Sequence, residues 1–313
     1  MDSKNWFSKI VGFEENKWNY ELETLPELIT ENMGSFETMT IKELKEKKYK
    51  KNKHKKLKVY FRKKKTDKND FLFDTSVLQF NSKKKTLFQI ASNFNCIELA
   101  SSFQNPFSGK YLTNLMTDIT QGPSACGGAV FGSFLRLSQH KIKEINLLED
   151  TSLKPNNGKL YNNKNNIFDF DVDNIKIGLH TDVRATFCRS EYIFAYNPKG
   201  PLIDQIYTST CIFTNKNDKN YSLASLLLQK AYEGTYLSAI MRKSQKIVLT
   251  LIGGGAFENP LHLIVDVIMN IHNLYSEFLI DDCEIILPIY EPNRIDIEKL
   301  FIKHPNVEII WID

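Results

Sequence analysis

From about residue 71 the apolar positions fall into short blocks of two kinds. Thr86–Ala91, Ile175–Leu179, Gln205–Phe213, Ile247–Ile252, Cys283–Pro288 and Val307–Ile312 are runs of strand length. Between them, Ser124–Ser138, Leu223–Arg242 and Leu261–Leu279 place apolar residues at helical spacing, as at Leu227, Ala231, Gly234 and Leu237, and Leu300–Lys303 closes a shorter helix. Strands alternating with helices predict an α/β layered fold on a mixed, mostly parallel sheet. Ligands of such sheets sit beyond the C-terminal ends of the strands. Residues 1–40 mix Trp6, Phe7, Phe13, Trp18 and Tyr20 with acids, which predicts short helices packed on the main body. We therefore divide the chain into an N-terminal helical and basic extension, 1–70, and a main domain, 71–313. No internal repeat is visible.

One predicted strand end stands out. Ile247–Ile252 runs straight into Gly253-Gly254-Gly255-Ala256-Phe257-Glu258-Asn259-Pro260. Glycines let backbone approach a ligand closely because no Cβ intervenes, and Pro260 suits the first turn of the following helix. Strand, glycine loop and helix start can gather N–H groups around a phosphate, although a plain βα turn gives the same pattern. The loop has no lysine of the nucleotide-triphosphatase kind, so it suits a bound diphosphate better than a transferred phosphate.

Charge changes the picture of the N-terminal part. The 313 residues carry +4, but Lys42–Lys65 holds 14 Lys/Arg against Glu43 and Glu46, which is +12 and leaves −8 for the remainder. A mildly acidic body is not built to bind nucleic acid over its whole surface. The basic run could serve nucleic acid, an anionic membrane or an acidic partner, but such a run reads more readily as a solvated helix or a disordered loop. No apolar run reaches membrane-spanning length, and Met1-Asp2-Ser3-Lys4 opens no apolar leader, so no secretory signal is expected. Cys96, Cys126, Cys188, Cys211 and Cys283 are scattered, which implies neither a disulfide framework nor a zinc site. A reducing, cytoplasmic setting fits, and neither metal nor cofactor is implied.

Other polar groups cluster near predicted strand ends. Asn93 and Asn95 follow Thr86–Ala91, with Glu98 close behind; they suit turn caps or hydrogen bonds to ribose or base. Asp118, Thr120 and Gln121 precede a Gly122-Pro123 turn, and Gly127-Gly128-Ala129 opens a helix. Asp182 follows Ile175–Leu179 and is the carboxylate expected at a strand end facing a cleft, or else a turn former. Glu233 lies mid-helix among apolar residues, where a carboxylate must be paired. The six histidines are scattered and no GxSxG or HExxH occurs, which disfavours covalent and zinc hydrolysis.

Taken together, Phe94-Asn95 with Glu98, Asp118-Ile119-Thr120-Gln121-Gly122-Pro123, the strand ending at Asp182, Gln205-Ile206-Tyr207, Ala231–Tyr236 and Gly253–Asn259 resemble the macrodomain-like ADP-ribosylhydrolases, in the branch typified by the bacterial effector MavL. The resemblance spans about residues 71–290 and leaves the basic run outside. It implies a three-layer macrodomain-like fold with a cleft for ADP-ribose. Gly253, Gly254, Gly255, Ala256, Phe257 and Asn259 would cradle the diphosphate and distal ribose. Thr120, Gln121 and Gly122 would form the facing loop, and Asn93, Asn95 and Glu98 would lie near the ribose. Asp118, Asp182 and Glu233 are the catalytic candidates. The paired glutamates of poly(ADP-ribose) glycohydrolases are absent, which favours removal of a single ADP-ribose from a protein side chain, arginine by resemblance, with water attacking the anomeric carbon. A reader that binds ADP-ribose without turnover is the alternative. The implied partners are ADP-ribose and ADP-ribosylated protein, ubiquitin among them through the family.

Overall fold

The computed structural model describes residues 6–65, 70–97, 105–112, 127–162, 168–189, 194–214 and 220–313. Their strands are β1 (Ser35–Thr40), β2 (Leu57–Arg62), β3 (Thr86–Ala91), β4 (Lys176–Arg184), β5 (Phe187–Arg189), β6 (Phe194–Tyr196), β7 (Leu202–Thr208), β8 (Lys246–Val248), β9 (Glu284–Pro288) and β10 (Val307–Ile312). Their helices are α1 (Trp6–Val11), α2 (Glu27–Thr30), α3 (Ile41–Lys45), α4 (Asp70–Phe73), α5 (Thr75–Phe80), α6 (Phe131–Ile142), α7 (Ser222–Arg242), α8 (Leu261–Tyr275) and α9 (Ile295–Phe301). Eight strands make one sheet in the order β1-β4-β7-β3-β8-β9-β2-β10, and β5 and β6 form a separate hairpin. Only β4 runs against its neighbours, so the sheet is mixed and mostly parallel, as the alternation of strands and helices predicts.

Alternate side chains of each strand feed two cores. Leu57, Val59, Leu87, Ile247 and Ile285 pack under α3, α7, α8 and α9. Phe88, Ile90, Tyr207, Val248 and Ile286 pack on the other face with α6 residue Leu135 and the segment around Ile145–Leu160. A third cluster joins α1 and α2 to the outer side of α6 through Phe7, Ile29, Phe131 and Phe134. The result is a three-layer α/β architecture. No helix among the described residues is long and apolar enough to cross a membrane.

The boundary expected at residue 70 does not coincide with an edge of this architecture. β1 pairs with β4, and β2 lies inside the sheet between β9 and β10. Leu57, Val59 and Phe61 alternate with Lys58, Tyr60 and Arg62, so an amphipathic strand lies within the lysine run. A Thr40–Glu43 capping box starts α3 directly after β1. The basic run is also stitched to the acidic body. Lys42 meets Asp171, Lys45 meets Asp173 and Glu233, Lys51 meets Glu277, Lys55 meets Asp281, Lys58 meets Glu284 and Lys63 meets Asp313. Much of the charge asymmetry seen in the sequence is therefore answered within the chain. The exposed pairs among these stabilise by at most about 1 kcal/mol each.

A buried polar group ties α6 to β4. Arg136 donates from Nε to the Cys96 carbonyl (3.1 Å), from Nη2 to Ser133 Oγ (2.9 Å) and from Nη1 to His180 Nδ1 (2.9 Å). Its guanidinium lies 4.1 Å from the centroid of the Tyr207 ring. These bonds make Nε2 the protonated nitrogen of His180, and it donates to the Met33 carbonyl at 2.6 Å. Burial, and then Arg136, push the His180 pKa down to about 3. The unfolded chain takes up that proton near pH 6.5, before the native state does. This contribution to stability is therefore complete above about pH 6.5 and falls as the pH drops towards 3. We expect the urea midpoint to decrease from pH 7 to pH 5, above most carboxylate titration, and the slope to flatten in His180→Gln. An equal slope in parent and variant would assign the acid sensitivity to other groups.

Candidate functional site

The chain leaving β3 travels towards α6 and β4 on one side, whereas the chain leaving β8 crosses through α8 to β9 on the other. Diverging crossovers leave a crevice at the C-terminal ends of the two adjacent strands. That crevice holds a cavity of about 280 Å³. Ala91 at the end of β3 with Ser92 and Asn93 beyond it, Thr210 after β7, Thr250–Gly253 with Gly255, Ala256 and Phe257 after β8, and Pro288 at the end of β9 with Tyr290 beyond it line it. Phe73 and Thr75 close one end, and Lys159 also lines it.

The glycine loop has its shape because neighbouring side chains end β8 early. Leu249 N still donates to the Ile286 carbonyl (2.8 Å), but Thr250 N donates to Gln89 Oε1 (3.1 Å) instead of to a strand. Gln89 Nε2 is held by Thr235 Oγ1 at 2.8 Å. The buried Tyr232 hydroxyl donates to the Thr250 carbonyl (2.7 Å) and accepts from Ile252 N (3.1 Å). The strand expected to reach Ile252 therefore stops at Val248. Gly253 then adopts φ +73, where a Cβ would lie 2.5 Å from Thr210 Cγ2 and 2.7 Å from Asn259 Nδ2. Asn259 Nδ2 donates to the carbonyls of Cys211 (2.9 Å), Phe257 (3.2 Å) and Gly253 (3.4 Å). Its Oδ1 accepts from Thr210 at 3.3 Å. Asn259 thus braces the loop from behind.

This bracing leaves backbone donors beside the cleft. Among the described residues no acceptor takes the N–H groups of Gly253, Gly255, Ala256 or Phe257. A Cβ on Gly255 would meet nothing within 4 Å, whereas one on Gly254 would point at Ile264, Leu261 and the Leu251 carbonyl at 3.2–3.3 Å. Gly254 therefore serves packing against α8, and Gly255 faces open space. Pro260 takes the N-cap position of α8, one residue before the first helical turn.

The other expected site residues separate into three groups. Asn93 lines the cleft and donates from Nδ2 to the Ile97 carbonyl (2.8 Å). Asn95 is buried behind it; its Oδ1 accepts from Ile97 N (3.1 Å), and it packs so closely on Gly158 that a Cβ there would lie 2.5 Å from its Cγ. Asp118, Thr120, Gln121, Gly122 and Glu98 lie outside the described residues.

Asp182 and Glu233 lie elsewhere. Because β4 is antiparallel, its C-terminal end pairs with the start of β7, Val183 opposite Ile203, so Asp182 sits at the end of the sheet opposite the cleft. There it adopts φ +54 and meets Arg242, which also holds Asp204. Glu233 is buried on α7, bonded to Lys230 (2.8 Å), Lys45 (3.0 Å) and the Tyr275 hydroxyl, and it does not line the cleft. Its apolar sequence neighbours correctly implied a paired carboxylate. We expect Asp182→Ala to leave ligand binding and turnover unchanged and to cost at most about 1 kcal/mol of stability, because the lost pair is exposed. A selective fall in turnover, measured beside a denaturation curve, would return Asp182 to the site.

Sequence reasoning missed Gln89, Tyr232 and Lys159. A lone amide inside an apolar strand was the signal for Gln89, but nothing local marked the other two. Burial pushes the thiols of Cys188, Cys211 and Cys283 up to about 12, so they are not nucleophiles at neutral pH.

No family model matches the chain, and no curated protein matches it. Solved structures do. A poly(ADP-ribose) glycohydrolase from Thermomonospora curvata matches with a TM-score of 0.52 and 9% identity, over 88% of this chain and 89% of that one. A poly(ADP-ribose) glycohydrolase from Deinococcus radiodurans, in complex with ADP-ribose, matches with a TM-score of 0.51 and 12% identity, over 88% and 95% of the two chains. This chain therefore has the macrodomain-like fold that these two glycohydrolases have.

Proposed function

We propose that the cleft between β3 and β8 binds ADP-ribose and that the chain releases ADP-ribose by hydrolysis at its anomeric carbon. The observation that carries the binding half is the set of N–H groups at Gly253, Gly255, Ala256 and Phe257 that donate to no described acceptor beside the cavity. Clustered amides of this kind suit a diphosphate. Phe73, Pro288 and Tyr290 offer an apolar end for a flat base, and Asn93 a polar group for ribose. The Deinococcus protein of like fold is described in complex with ADP-ribose, which supports the choice of ligand.

Hydrolysis needs a carboxylate near the anomeric carbon to position water and stabilise oxocarbenium-like charge, and a general acid for the leaving group. None of the described residues that line the cleft is acidic. Asp118, with Glu98 behind it, is therefore our catalytic candidate, on the strength of the sequence motifs. The same observation favours the second reading, a module that holds ADP-ribose without cutting it. The motifs also support the MavL-like branch and a mono-ADP-ribosylated arginine substrate, whereas the proteins of like fold carry the name of polymer-cleaving enzymes.

Calorimetry with ADP-ribose, followed by incubation with arginine-mono-ADP-ribosylated protein and with poly(ADP-ribose), tests each level. We expect binding, and release from the arginine-linked substrate. No binding would overturn the cleft assignment. Binding without release would establish the reader, and release from the polymer alone would correct the substrate.

A further inference from the structure

One turn of α7, Ala231–Thr235, reaches from the helical layer to the chain that enters the glycine loop. Gly234 lets the helix lie close to the sheet and to α3: a Cβ there would stand 2.5 Å from Ile177 Cγ2 and 3.0 Å from Ile41 Cδ1. On either side of it Tyr232 and Thr235 are fully buried. The Thr235 hydroxyl donates to the Ala231 carbonyl one turn back (2.8 Å), so it meets the Gln89 amide as an acceptor, from Nε2 at 2.8 Å. That bond orients the amide and leaves Gln89 Oε1 to accept from Thr250 N (3.1 Å). The Tyr232 hydroxyl donates to the Thr250 carbonyl (2.7 Å) and accepts from Ile252 N (3.1 Å). Both peptide groups of Thr250 are therefore gripped from α7, one directly and one through Gln89. Thr250 to Gly253 line the cleft, whereas Tyr232 and Thr235 do not. The N–H groups of Gly253, Gly255, Ala256 and Phe257 donate to no described acceptor, so the bonds at the two ends of the loop set their direction: this grip in front and Asn259 behind. Amides already aimed at an anion bind it without the cost of ordering them.

We propose that Tyr232, and Thr235 through Gln89, are positioning residues that hold the glycine-loop amides in the geometry that takes the diphosphate, a role that rests on the assignment of the cleft to ADP-ribose. The sequence block Ala231–Tyr236 then serves the cleft without touching the ligand. Without the Thr235 hydroxyl nothing fixes the Gln89 amide, and its flipped form would set an NH2 group against Thr250 N–H. Without the Tyr232 hydroxyl the Thr250 carbonyl loses its buried donor. In either case the loop amides lose their common direction.

The test is calorimetry with ADP-ribose and with adenosine on the full chain as parent, Tyr232→Phe, Thr235→Val and Thr235→Ser, with thermal melts beside it. We expect Tyr232→Phe and Thr235→Val to weaken ADP-ribose about tenfold and to leave adenosine within about threefold, and Thr235→Ser, which keeps the hydroxyl, to bind as the parent does. Should Tyr232→Phe melt below the assay temperature, the Val and Ser variants at 235 decide. ADP-ribose affinity equal to the parent's in folded Tyr232→Phe and Thr235→Val would overturn the positioning role and leave the cleft assignment standing. Equal losses of ADP-ribose and adenosine, or equal losses in Thr235→Val and Thr235→Ser, would also overturn it, because a general disturbance of the cleft and not the aim of the loop would then be at work. A parent that binds no ADP-ribose would overturn both.

Discussion

Asp118→Asn is expected to lower the release of ADP-ribose by about 10²- to 10⁴-fold, the range for removing a positioned acid or base. ADP-ribose affinity should stay within about threefold, because Asn keeps the size of the side chain and removes its charge and basicity. Glu233 is paired with Lys45 and Lys230 and hydrogen-bonded by Tyr275, and Asp182 lies at the opposite end of the sheet. Asp118, within Asp118–Pro123, is then the acidic residue that the sequence pattern puts forward. Single-turnover release measured beside calorimetry separates the chemical step from binding. An active parent with an equally active Asp118→Asn variant would move the role to Glu98, whose Gln variant is the next measurement.

Gly255→Val should weaken ADP-ribose binding by about tenfold to a hundredfold without lowering the melting temperature. Its Cβ would meet nothing within 4 Å beside the cleft, so the added side chain stands where ligand would lie. Gly254→Val should do the reverse. Its Cβ would already lie 3.2 Å from Ile264 and 3.3 Å from Leu261, so the γ-methyls overpack the start of α8 and cost about 1–3 kcal/mol of stability. The contrast is sharper than either variant alone. A phosphate loop that binds through its amides requires binding loss at 255 and stability loss at 254. If both variants bind ADP-ribose as the parent does, the loop is a turn and nothing more.

The glycine run shows how far local sequence carried. Apolar residues running into three glycines announced strand, loop and helix, and β8, the loop and α8 follow in that order. Local sequence did not show where the strand would stop, because the Thr250 amide is taken by Gln89, more than 150 residues earlier. β3 and β10 match the expected blocks residue for residue, since each is a mostly apolar run of strand length. β2 was hidden because its alternation of Leu57, Val59 and Phe61 lay under a run of lysines that reads first as charge.

The chain's own pattern of residues determined the α/β class, the alternation of elements and a loop suited to diphosphate. Hydrophobic period and glycine content report local burial and local backbone freedom, and both are properties of a short window. The tertiary structure decided which polar groups share an end of the sheet. Strand polarity turned Asp182 away from the cleft, a helix-to-helix network paired Glu233, and a remote turn placed Lys159 on the cleft wall. Those outcomes depend on which strands pair and in which direction, an energy shared among residues far apart in sequence and absent from any one window.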